Sequence, residues 1–497
     1  MSETAAQDDI AALAKGGRTN FLGFLLRLAA RLPFLFIAGR LYGADALGRF
    51  AYALVVVELL GQLCALGQKR GLAQWLSHAE DRNPANIVTD GLFLATLFST
   101  LVAVLLYLFP IPMFPSGEYT AIDRLLPLGI VFLSWTEVAL AAQAYRFDIG
   151  TTVRARAIVE PWTISIMAGV MYFLAPDSGL AIAYLLSVAA AAVTAFFPLI
   201  RTYGLPHKWK PHPLLMWQLV RQSLPLATAD AIEWGTRRID IAILGLFASP
   251  ATVGVYYVAQ QVASLPQKLK TSFEPILGPV ITRNLKEKNY AAIAKQVCQV
   301  GFWITAAQAG IALALGIPGE GVMGLVGPNF VAGTGAMALL LAAEVVAATA
   351  VVSEAALVYV ARIRNLWISL LTIGFQALVS VGFILLVKNL GLGEFYWAAA
   401  VAAALIVALG ASSVVKAWLL ARILGERINN WRWALVWAAA PATVIGWIAT
   451  QLPEWMELLF GIPAILFAYG WMIWHKGFGP EDRVLFRRKI GPQASET

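Results

Sequence analysis

One segment decides how this chain folds: Thr19-Asn-Phe-Leu-Gly-Phe-Leu-Leu-Arg-Leu-Ala-Ala-Arg-Leu-Pro-Phe-Leu-Phe-Ile-Ala-Gly-Arg-Leu41. At about 1.5 Å per residue, a helix of this length extends for roughly 35 Å, which is enough to cross a bilayer. Arg27 and Arg31 lie in its middle, four residues apart and therefore on one helical face. Because a charge at that depth costs at least about 2.5 kcal/mol, the pair requires a polar interior built by the rest of the chain.

The composition is that of a protein embedded in a membrane. Of the 497 residues, 59% are hydrophobic and only 13% are charged, whereas a soluble protein has about 25% charged residues. We predict an all-α polytopic membrane protein with about fourteen transmembrane helices joined by short connections. The predicted spans are 19–41, 45–67, 86–109, 122–144, 157–175, 179–200, 217–247, 252–282, 292–317, 329–360, 365–387, 394–424, 432–451 and 455–474.

The distribution of positive charge predicts the orientation of these spans. With the N-terminus taken as cytoplasmic, most of the 37 Lys and Arg residues fall in cytoplasmic segments. Only four fall near the outer side: Arg40, Arg49, Arg124 and Lys388. This asymmetry follows the positive-inside rule, so we expect both termini to be cytoplasmic.

Two similar motifs indicate an internal repeat. Gly48-Arg-Phe-Ala-Tyr-Ala53 begins the second span, and Gly254-Val-Tyr-Tyr-Val-Ala259 begins the eighth, 206 residues later. The same offset relates Arg31 to Arg237, a second arginine inside a span. Because six spans, an even number, separate the copies, both halves have the same orientation. The repeat therefore predicts two parallel halves with a cavity between them.

The seventh span is the most polar helix of the chain. Asp230, Glu233, Arg237 and Asp240 recur at intervals of three or four residues and share one face, while Arg238 lies about 100° away. These charges can pair with one another along the helix, or they can line a cavity. We prefer the cavity wall, because pairing within the helix still leaves a polar face that has to avoid lipid.

Four further carboxylates fall inside predicted spans, where pairing between helices and cavity lining are equally plausible roles: Glu58, Glu137, Glu344 and Glu354. Lys268 and Lys270 lie toward the cytoplasmic end of the eighth span. Snorkelling or pairing with Glu274 explains them better than contact with a substrate, which leaves them secondary candidates. For Lys416, near the cytoplasmic end of the twelfth span, we also expect snorkelling.

Arginines from both halves predict an anionic substrate, because guanidinium binds phosphate in a bidentate way and keeps its charge when desolvated. Arg27, Arg31, Arg237 and Arg238 are the candidates for this contact. The buried carboxylates are candidates for coupling to H⁺ or Na⁺, between which the sequence does not decide.

The sequence lacks the residues that several other functions require. The four histidines show no metal-ligand spacing, and we expect neither a metal site nor a cofactor. The Gly-rich stretch from Gly316 to Phe330 lacks the Gly-Lys-Ser/Thr ending of a phosphate loop and contains no Lys or Arg, so we interpret it as a turn between spans. With no hydroxyl–histidine–carboxylate set either, we predict that the protein is not an enzyme.

An ordered series of motifs resembles the polysaccharide-transport flippases of the multidrug/oligosaccharidyl-lipid/polysaccharide exporter superfamily. The similarity covers about residues 17–425 and includes Leu41-Tyr-Gly43, the motif beginning at Gly48, Ser223-Leu-Pro225, the motif beginning at Gly254, and Val326-Gly-Pro-Asn-Phe330. The resemblance implies two pseudo-symmetric six-helix bundles in a V shape plus two C-terminal helices. It also implies movement of undecaprenyl-diphosphate-linked sugars across a bacterial inner membrane by an ion-coupled cycle of alternating access.

These arguments together predict the following domains: a cytoplasmic segment (1–18), an N-terminal bundle (19–200), a cytoplasmic linker (201–216), a C-terminal bundle (217–424), two additional helices (425–475) and a basic cytoplasmic tail (476–497). We predict a flippase for a lipid-linked oligosaccharide used in exopolysaccharide, O-antigen or capsule assembly, with a cationic central cavity. Its expected partners are membrane lipids and polysaccharide polymerase or assembly proteins, without nucleic acid. The alternatives are a cation-coupled multidrug antiporter of the same superfamily and a non-transporting subunit of a polysaccharide synthase.

Overall fold

The computed structural model of the chain describes residues 32–78, 83–146, 148–211, 213–480 and 482–483. Throughout this part the regular secondary structure is helical, which confirms the predicted all-α class. The helices that matter below are α1 Gly43–Cys64, α2 Gln68–His78, α3 Pro84–Leu108, α4 Leu128–Tyr145, α5 Gly150–Leu174, α6 Gly179–Tyr203, α7 Pro213–Phe247, α8 Pro250–Lys286, α9 Tyr290–Gly316, α10 Gly319–Val326, α11 Thr334–Val360, α12 Arg362–Asn389, α13 Glu394–Leu424, α14 Ala434–Ala449 and α15 Glu454–Gly477.

The chain crosses the membrane many times. Among the described residues, ten helical segments are long and apolar enough to span a bilayer. The long helices α7 and α8 are not counted among them, since polar and charged residues interrupt their apolar sequence, and α14 is shorter. The first predicted span lies largely outside the described residues, so the number fourteen stays a prediction.

The predicted repeat is visible in where the helices begin. α3 begins at Pro84 and α9 at Tyr290, 206 residues apart, and each is preceded by an asparagine, Asn83 or Asn289, whose side chain caps the helix. α4 and α11 begin with the same spacing, at Leu128 and Thr334. Such agreement follows if the two halves descend from one ancestral unit. The exact bundle boundaries at 19–200 and 217–424 stay predictions.

The halves meet where α1 crosses α8. A methyl group placed on Gly48 would overlap the carbonyl oxygen of Pro250, and one placed on Gly254 would overlap that of Ala44. An apolar core continues across this contact and includes Leu47 of the first half and Tyr256 of the second. The halves are therefore packed together at the end where α1 and α8 begin, which the charge distribution predicts to be the outer end.

The two halves differ beyond this crossing. α1 ends at Cys64, and Leu66 and Gly67 take the left-handed conformation with φ of 52° and 64° before α2 begins. A leucine in that region costs about 1–2 kcal/mol, so the break is held by its surroundings. In the second half α8 continues without interruption for 37 residues.

The connections are more ordered than the sequence predicts. The Gly-rich stretch from Gly316 to Phe330 is not a simple turn, because it contains α10 and enters a 3₁₀ segment, Pro328–Gly333. The segment between α6 and α7 lies against α3, where Trp209 donates from its indole nitrogen to Asp90 at 2.8 Å. The last two helices pack against α9 and so extend the second half.

Candidate functional site

Arg156 lies at the centre of a charged cluster in the first half. Its guanidinium donates to Glu137 of α4 at 2.6 Å and to Glu160 of α5 at 2.7 Å. A π-helical turn at Arg154–Val159 carries the arginine within α5, and such turns often occur at functional sites. Since Glu137 lies midway along α4, the cluster lies deep in the membrane-spanning part of the protein.

Tyr184 of α6 belongs to the same cluster. Its side chain is 4% exposed, and its hydroxyl is buried without a hydrogen-bond partner among the described residues. Glu58, Glu160 and Arg156 act on it electrostatically, as does Tyr257 from α8 in the second half. A buried polar group without a partner is unfavourable, which points to an additional ligand or water at this position.

The described charges of the cluster are predominantly negative. Glu58, Glu137 and Glu160 supply three carboxylates, whereas Arg156 supplies a single positive charge that two of these carboxylates already neutralise. A cationic cavity therefore depends on Arg27, Arg31 and Arg237. Arg27 and Arg31 lie outside the described residues, and the side chain of Arg237 is not described either.

A second polar network joins α7 to α8. Asp240 is 2% exposed and accepts hydrogen bonds from the hydroxyl of Tyr256 at 2.9 Å and from the amide of Gln260 at 2.8 Å. Arg238 donates to the side-chain carbonyl oxygen of Gln260 at 2.9 Å. Gln260 thus bridges a predicted substrate-binding residue and a predicted ion-coupling residue.

A third pair lies inside the second half. The ammonium of Lys416 on α13 donates to Glu354 of α11 at 2.9 Å and to Ser369 of α12 at 3.1 Å. Lys416 is only 4% exposed, so the expectation that it snorkels to the membrane surface is wrong. Its carboxylate partner holds it inside the bundle, because a buried charge needs an opposite charge and further hydrogen bonds.

The remaining predicted site residues have less structural description. The side chains of Asp230, Glu233 and Arg237 on α7, and of Lys268 and Lys270 on α8, lie outside the described part, although their helices are described. Glu344 is half-buried on α11.

Arg156, Glu160 and Tyr184 were not among the predicted site residues. The fifth span was predicted to begin at residue 157, which placed Arg156 in a cytoplasmic loop. The helix in fact extends further back, from Gly150 through the π-helical turn. The spacing of Arg156 and Glu160, four residues apart, was the available sequence signal.

In the described part of the chain, no group of three or more His, Cys, Asp or Glu residues could hold a metal ion.

The chain is similar in fold to several solved membrane transporters. The lipid II flippase MurJ in an inward closed conformation matches with a TM-score of 0.69 at 12% identity, over 91% of this chain and 98% of that one. An inward-facing multidrug resistance MATE family transporter of the MOP superfamily matches with 0.64 at 15% identity, over 80% and 98%. A MOP superfamily transporter from Pyrococcus furiosus, described as having a binding pocket of reverse polarity, matches with 0.55 at 13%, over 84% and 96%.

At these identities the likeness concerns the fold. Comparison with curated protein sequences gives no match. Residues 37–307, more than half of the chain, match the family described as "Polysaccharide biosynthesis protein". The chain therefore belongs to this polysaccharide biosynthesis family, and it is a multi-pass membrane protein that shares its fold with these solved transporters.

Proposed function

We propose that the protein flips an undecaprenyl-diphosphate-linked oligosaccharide from the inner to the outer leaflet of a bacterial inner membrane. The observation that carries the proposal is the match of residues 37–307 to the polysaccharide biosynthesis family. The fold shared with a lipid II flippase supports a lipid-linked substrate. The product would serve exopolysaccharide, O-antigen or capsule assembly, together with polymerase or assembly proteins.

The proposed cycle has four steps. Arg27, Arg31 and Arg237, with Arg238 beside them, draw the diphosphate into the cavity between the halves. The lipid tail stays in the membrane between the bundles. The halves rock about their contact near Gly48 and Gly254, and an ion binding at the carboxylates resets them. Both termini are cytoplasmic in this proposal.

The acidic excess of the described cluster favours a second candidate, a cation-coupled multidrug antiporter. Glu58, Glu137 and Glu160 outnumber Arg156, and a cationic drug prefers such surroundings. MATE transporters share the fold. The family match to polysaccharide biosynthesis places this candidate second.

Reconstitution of the purified chain into lipid vesicles separates the candidates. A fluorescent undecaprenyl-diphosphate oligosaccharide is incorporated, and the fraction reaching the opposite leaflet is measured with an impermeant glycosidase under an imposed H⁺ or Na⁺ gradient. We expect flipping by the wild-type chain and a loss of at least about tenfold in Arg31→Ala and Arg237→Ala. Arg422→Ala, which removes an exposed arginine stacked on Trp418, serves as the control.

The same vesicles are tested with a cationic dye. Dye export without movement of the sugar lipid would establish the antiporter instead. If a correctly folded protein moves neither compound, the remaining candidate is a non-transporting subunit of a polysaccharide synthase. Full sugar flipping by the double variant of Arg31 and Arg237 would show that these arginines are not the headgroup site.

A further inference from the structure

We propose that the linker between α6 and α7, residues 204–211, is a docking surface for the headgroups of anionic phospholipids in the adjacent leaflet. The linker packs near Leu66, beyond the end of α1 and on the side predicted to be cytoplasmic. The inference does not depend on what the protein transports, because it rests on how the linker is held and on what it exposes.

One face of α3 holds the linker in a defined position. Asn86 makes two hydrogen bonds with the backbone of His207: its amide nitrogen donates to the carbonyl oxygen at 3.1 Å, and its amide oxygen accepts from the backbone N–H at 3.2 Å. One turn further along, Asp90 accepts from the indole nitrogen of Trp209 at 2.8 Å. The rings of Phe93 and Trp209 lie 5.6 Å apart. The linker therefore follows three successive turns of α3.

These contacts determine which way the lysines of the linker point. Lys208 lies between His207 and Trp209 in the left-handed conformation, with φ of 46°, which is unfavourable for a residue with a Cβ atom. Trp209 is turned towards α3, whereas Lys208 and Lys210 on either side of it are exposed. The anchored backbone thus presents two lysines on the outer side of the linker.

The sequence around the linker carries positive charge only. Between Asp177 and Asp230 the chain has no Asp or Glu, but it has four basic residues besides histidine: Arg201, Lys208, Lys210 and Arg221. The carboxylate that contacts the linker, Asp90, is 6% exposed and accepts from Trp209. The exposed side of the linker therefore has the charge that complements an anionic surface.

Exposed apolar side chains beside the lysines indicate that this anionic surface is a membrane. Leu205 is 76% exposed, and Leu214 and Trp217 in the first turns of α7 are 81% and 66% exposed. A free phosphate has no apolar part to contact them, whereas a bilayer places acyl chains directly below its phosphates. Tryptophan is favoured at this depth in particular.

Bulk phospholipid fits this surface better than the diphosphate of a lipid-linked sugar. A diphosphate is held best by the planar fork of arginine, but residues 204–211 contain two lysines and no arginine. Both lysines are exposed. A lysine acts as a point charge on a flexible stem, which suits headgroups that exchange with the surrounding bilayer.

The surface lies next to a contact between the two halves. Trp209 packs against an apolar cluster that contains Leu66 and Leu94 of the first half and Leu219 and Val220 of α7. Lipid bound at the linker is therefore placed where the halves meet on this side of the molecule.

Hydrogen exchange in nanodiscs of defined lipid tests the surface without a substrate. The full chain is placed in phosphatidylcholine alone, with added phosphatidylglycerol, or with a trace of undecaprenyl diphosphate, and exchange of the amides of residues 207–210 is followed by mass spectrometry. One lysine near an anionic surface favours the bound state about fivefold. We expect exchange at least about fivefold slower with phosphatidylglycerol than without it, and loss of this difference at high salt.

Lysine variants show whether the linker itself binds the lipid. Lys208→Gln combined with Lys210→Gln should remove the effect of phosphatidylglycerol and leave the linker protected in phosphatidylcholine, because Trp209 still holds it against α3. Exchange of the α4 amides shows that the variant is folded.

A second pair of lysines on the same predicted side provides the matched control. Lys286 and Lys288 are both exposed, and Lys288 has the same left-handed backbone, with φ of 55°. Glu287 lies between them and offsets their charge. Lys286→Gln combined with Lys288→Gln should keep the effect of phosphatidylglycerol on the linker.

A nitroxide label tests whether the linker touches the bilayer. It is attached at Leu205→Cys in a Cys64→Ser, Cys298→Ser background. With phosphatidylglycerol present, we expect this label to collide more with oxygen, which concentrates in the bilayer, than with a water-soluble nickel chelate. A label at Lys288→Cys should show the opposite preference. Equal access of the chelate to both labels would contradict a membrane contact and favour a soluble acidic partner.

The exchange data decide between the possible ligands. Slower exchange with phosphatidylglycerol supports the proposal, whether or not undecaprenyl diphosphate has an effect of its own. The same exchange in all three lipids, or an effect of phosphatidylglycerol that persists in the folded double variant of Lys208 and Lys210, would overturn it. An effect of undecaprenyl diphosphate alone would also overturn it, in favour of capture of the lipid carrier. Phospholipid binding by a chain that moves no sugar lipid would count against the proposed function alone.

Discussion

Gly48 and Gly254, 206 residues apart in the chain, face each other where the two halves cross, and each lies against the backbone of the other's helix. The residues they approach, Pro250 and Ala44, are also 206 residues apart. The contact is therefore reciprocal, as expected where an approximate two-fold axis passes between repeated units. A side chain at either glycine would separate the helices, so this position fixes how closely the halves pack.

Gly48→Ala should prevent this close packing. The added methyl group overlaps the backbone carbonyl of Pro250, which cannot rotate away as a side chain would. We expect a destabilisation of at least about 1–3 kcal/mol, the usual cost of overpacking. Thermal unfolding of the detergent-solubilised protein measures it. Gly374→Ala in α12 is the control, because nothing lies within 4 Å of its added methyl group; there we expect unchanged or slightly higher stability.

The sequence predicts this architecture well because the signals are local. Apolar runs identify the helices, and the motifs at Gly48 and Gly254 locate the repeat without knowledge of any contact. Connections were predicted less well. The stretch from Gly316 to Phe330 appears turn-like because of its glycines, whereas its helix α10 is held by tertiary packing, including the contact of Val326 with Gly39.

The candidate site could be predicted only in part, since its members come from different helices. Glu58 and Glu137 stand out as charges inside apolar spans. Arg156 did not, because the span was predicted to begin at residue 157, seven residues after the helix begins at Gly150, and this placed Arg156 in a loop. The partner of Lys416 is 62 residues away in the chain, so proximity to a helix end was the only available signal and it indicated snorkelling.

Removal of Arg156 should destabilise the first half. Arg156→Leu leaves Glu137 and Glu160 facing each other without a cation. Because these side chains are only partly buried, we expect a cost below the roughly 3–5 kcal/mol of breaking a fully buried ion pair from one side. The triple variant Arg156→Leu, Glu137→Gln, Glu160→Gln should recover most of that loss, because no uncompensated charge remains. Thermal midpoints of the three proteins measure the difference. A triple variant as unstable as Arg156→Leu would mean that the arginine acts through packing and not through charge.

The pair of Lys416 and Glu354 gives a corresponding prediction for the second half. Glu354→Gln leaves the buried ammonium with a neutral acceptor and the hydroxyl of Ser369. Lys416→Met removes the charge and keeps a flexible side chain of similar length, while the side chain of Glu354, 38% exposed, is much less deeply buried than that of Lys416. We therefore expect Glu354→Gln to lower the thermal midpoint more than Lys416→Met. A larger decrease in Lys416→Met than in Glu354→Gln would show that the carboxylate loses more stability without its partner than the ammonium does.

The attachment of the segment after α15 should depend on pH through Asp482. Burial raises the pKa of this carboxyl, but hydrogen bonds from Arg432 at 2.6 Å, from the backbone of Gly479 and from Trp303 outweigh it, and the pKa is lowered. Because the pKa of Asp482 is lower in the folded protein, the stabilisation is complete above the pKa of the unfolded chain, about 3.9. It is lost as the pH falls through the pKa of the folded protein. At neutral pH, Asp482→Asn should weaken the attachment by about 1.5–3 kcal/mol, as for other hydrogen bonds to charged groups. Hydrogen exchange of the backbone amides at Phe478 and Gly479 measures this. The protection of these amides should differ between the wild type and Asp482→Asn near pH 7, and the difference should disappear in strong acid. An equal difference at all pH values would mean that the effect comes from the shape of the side chain and not from its charge.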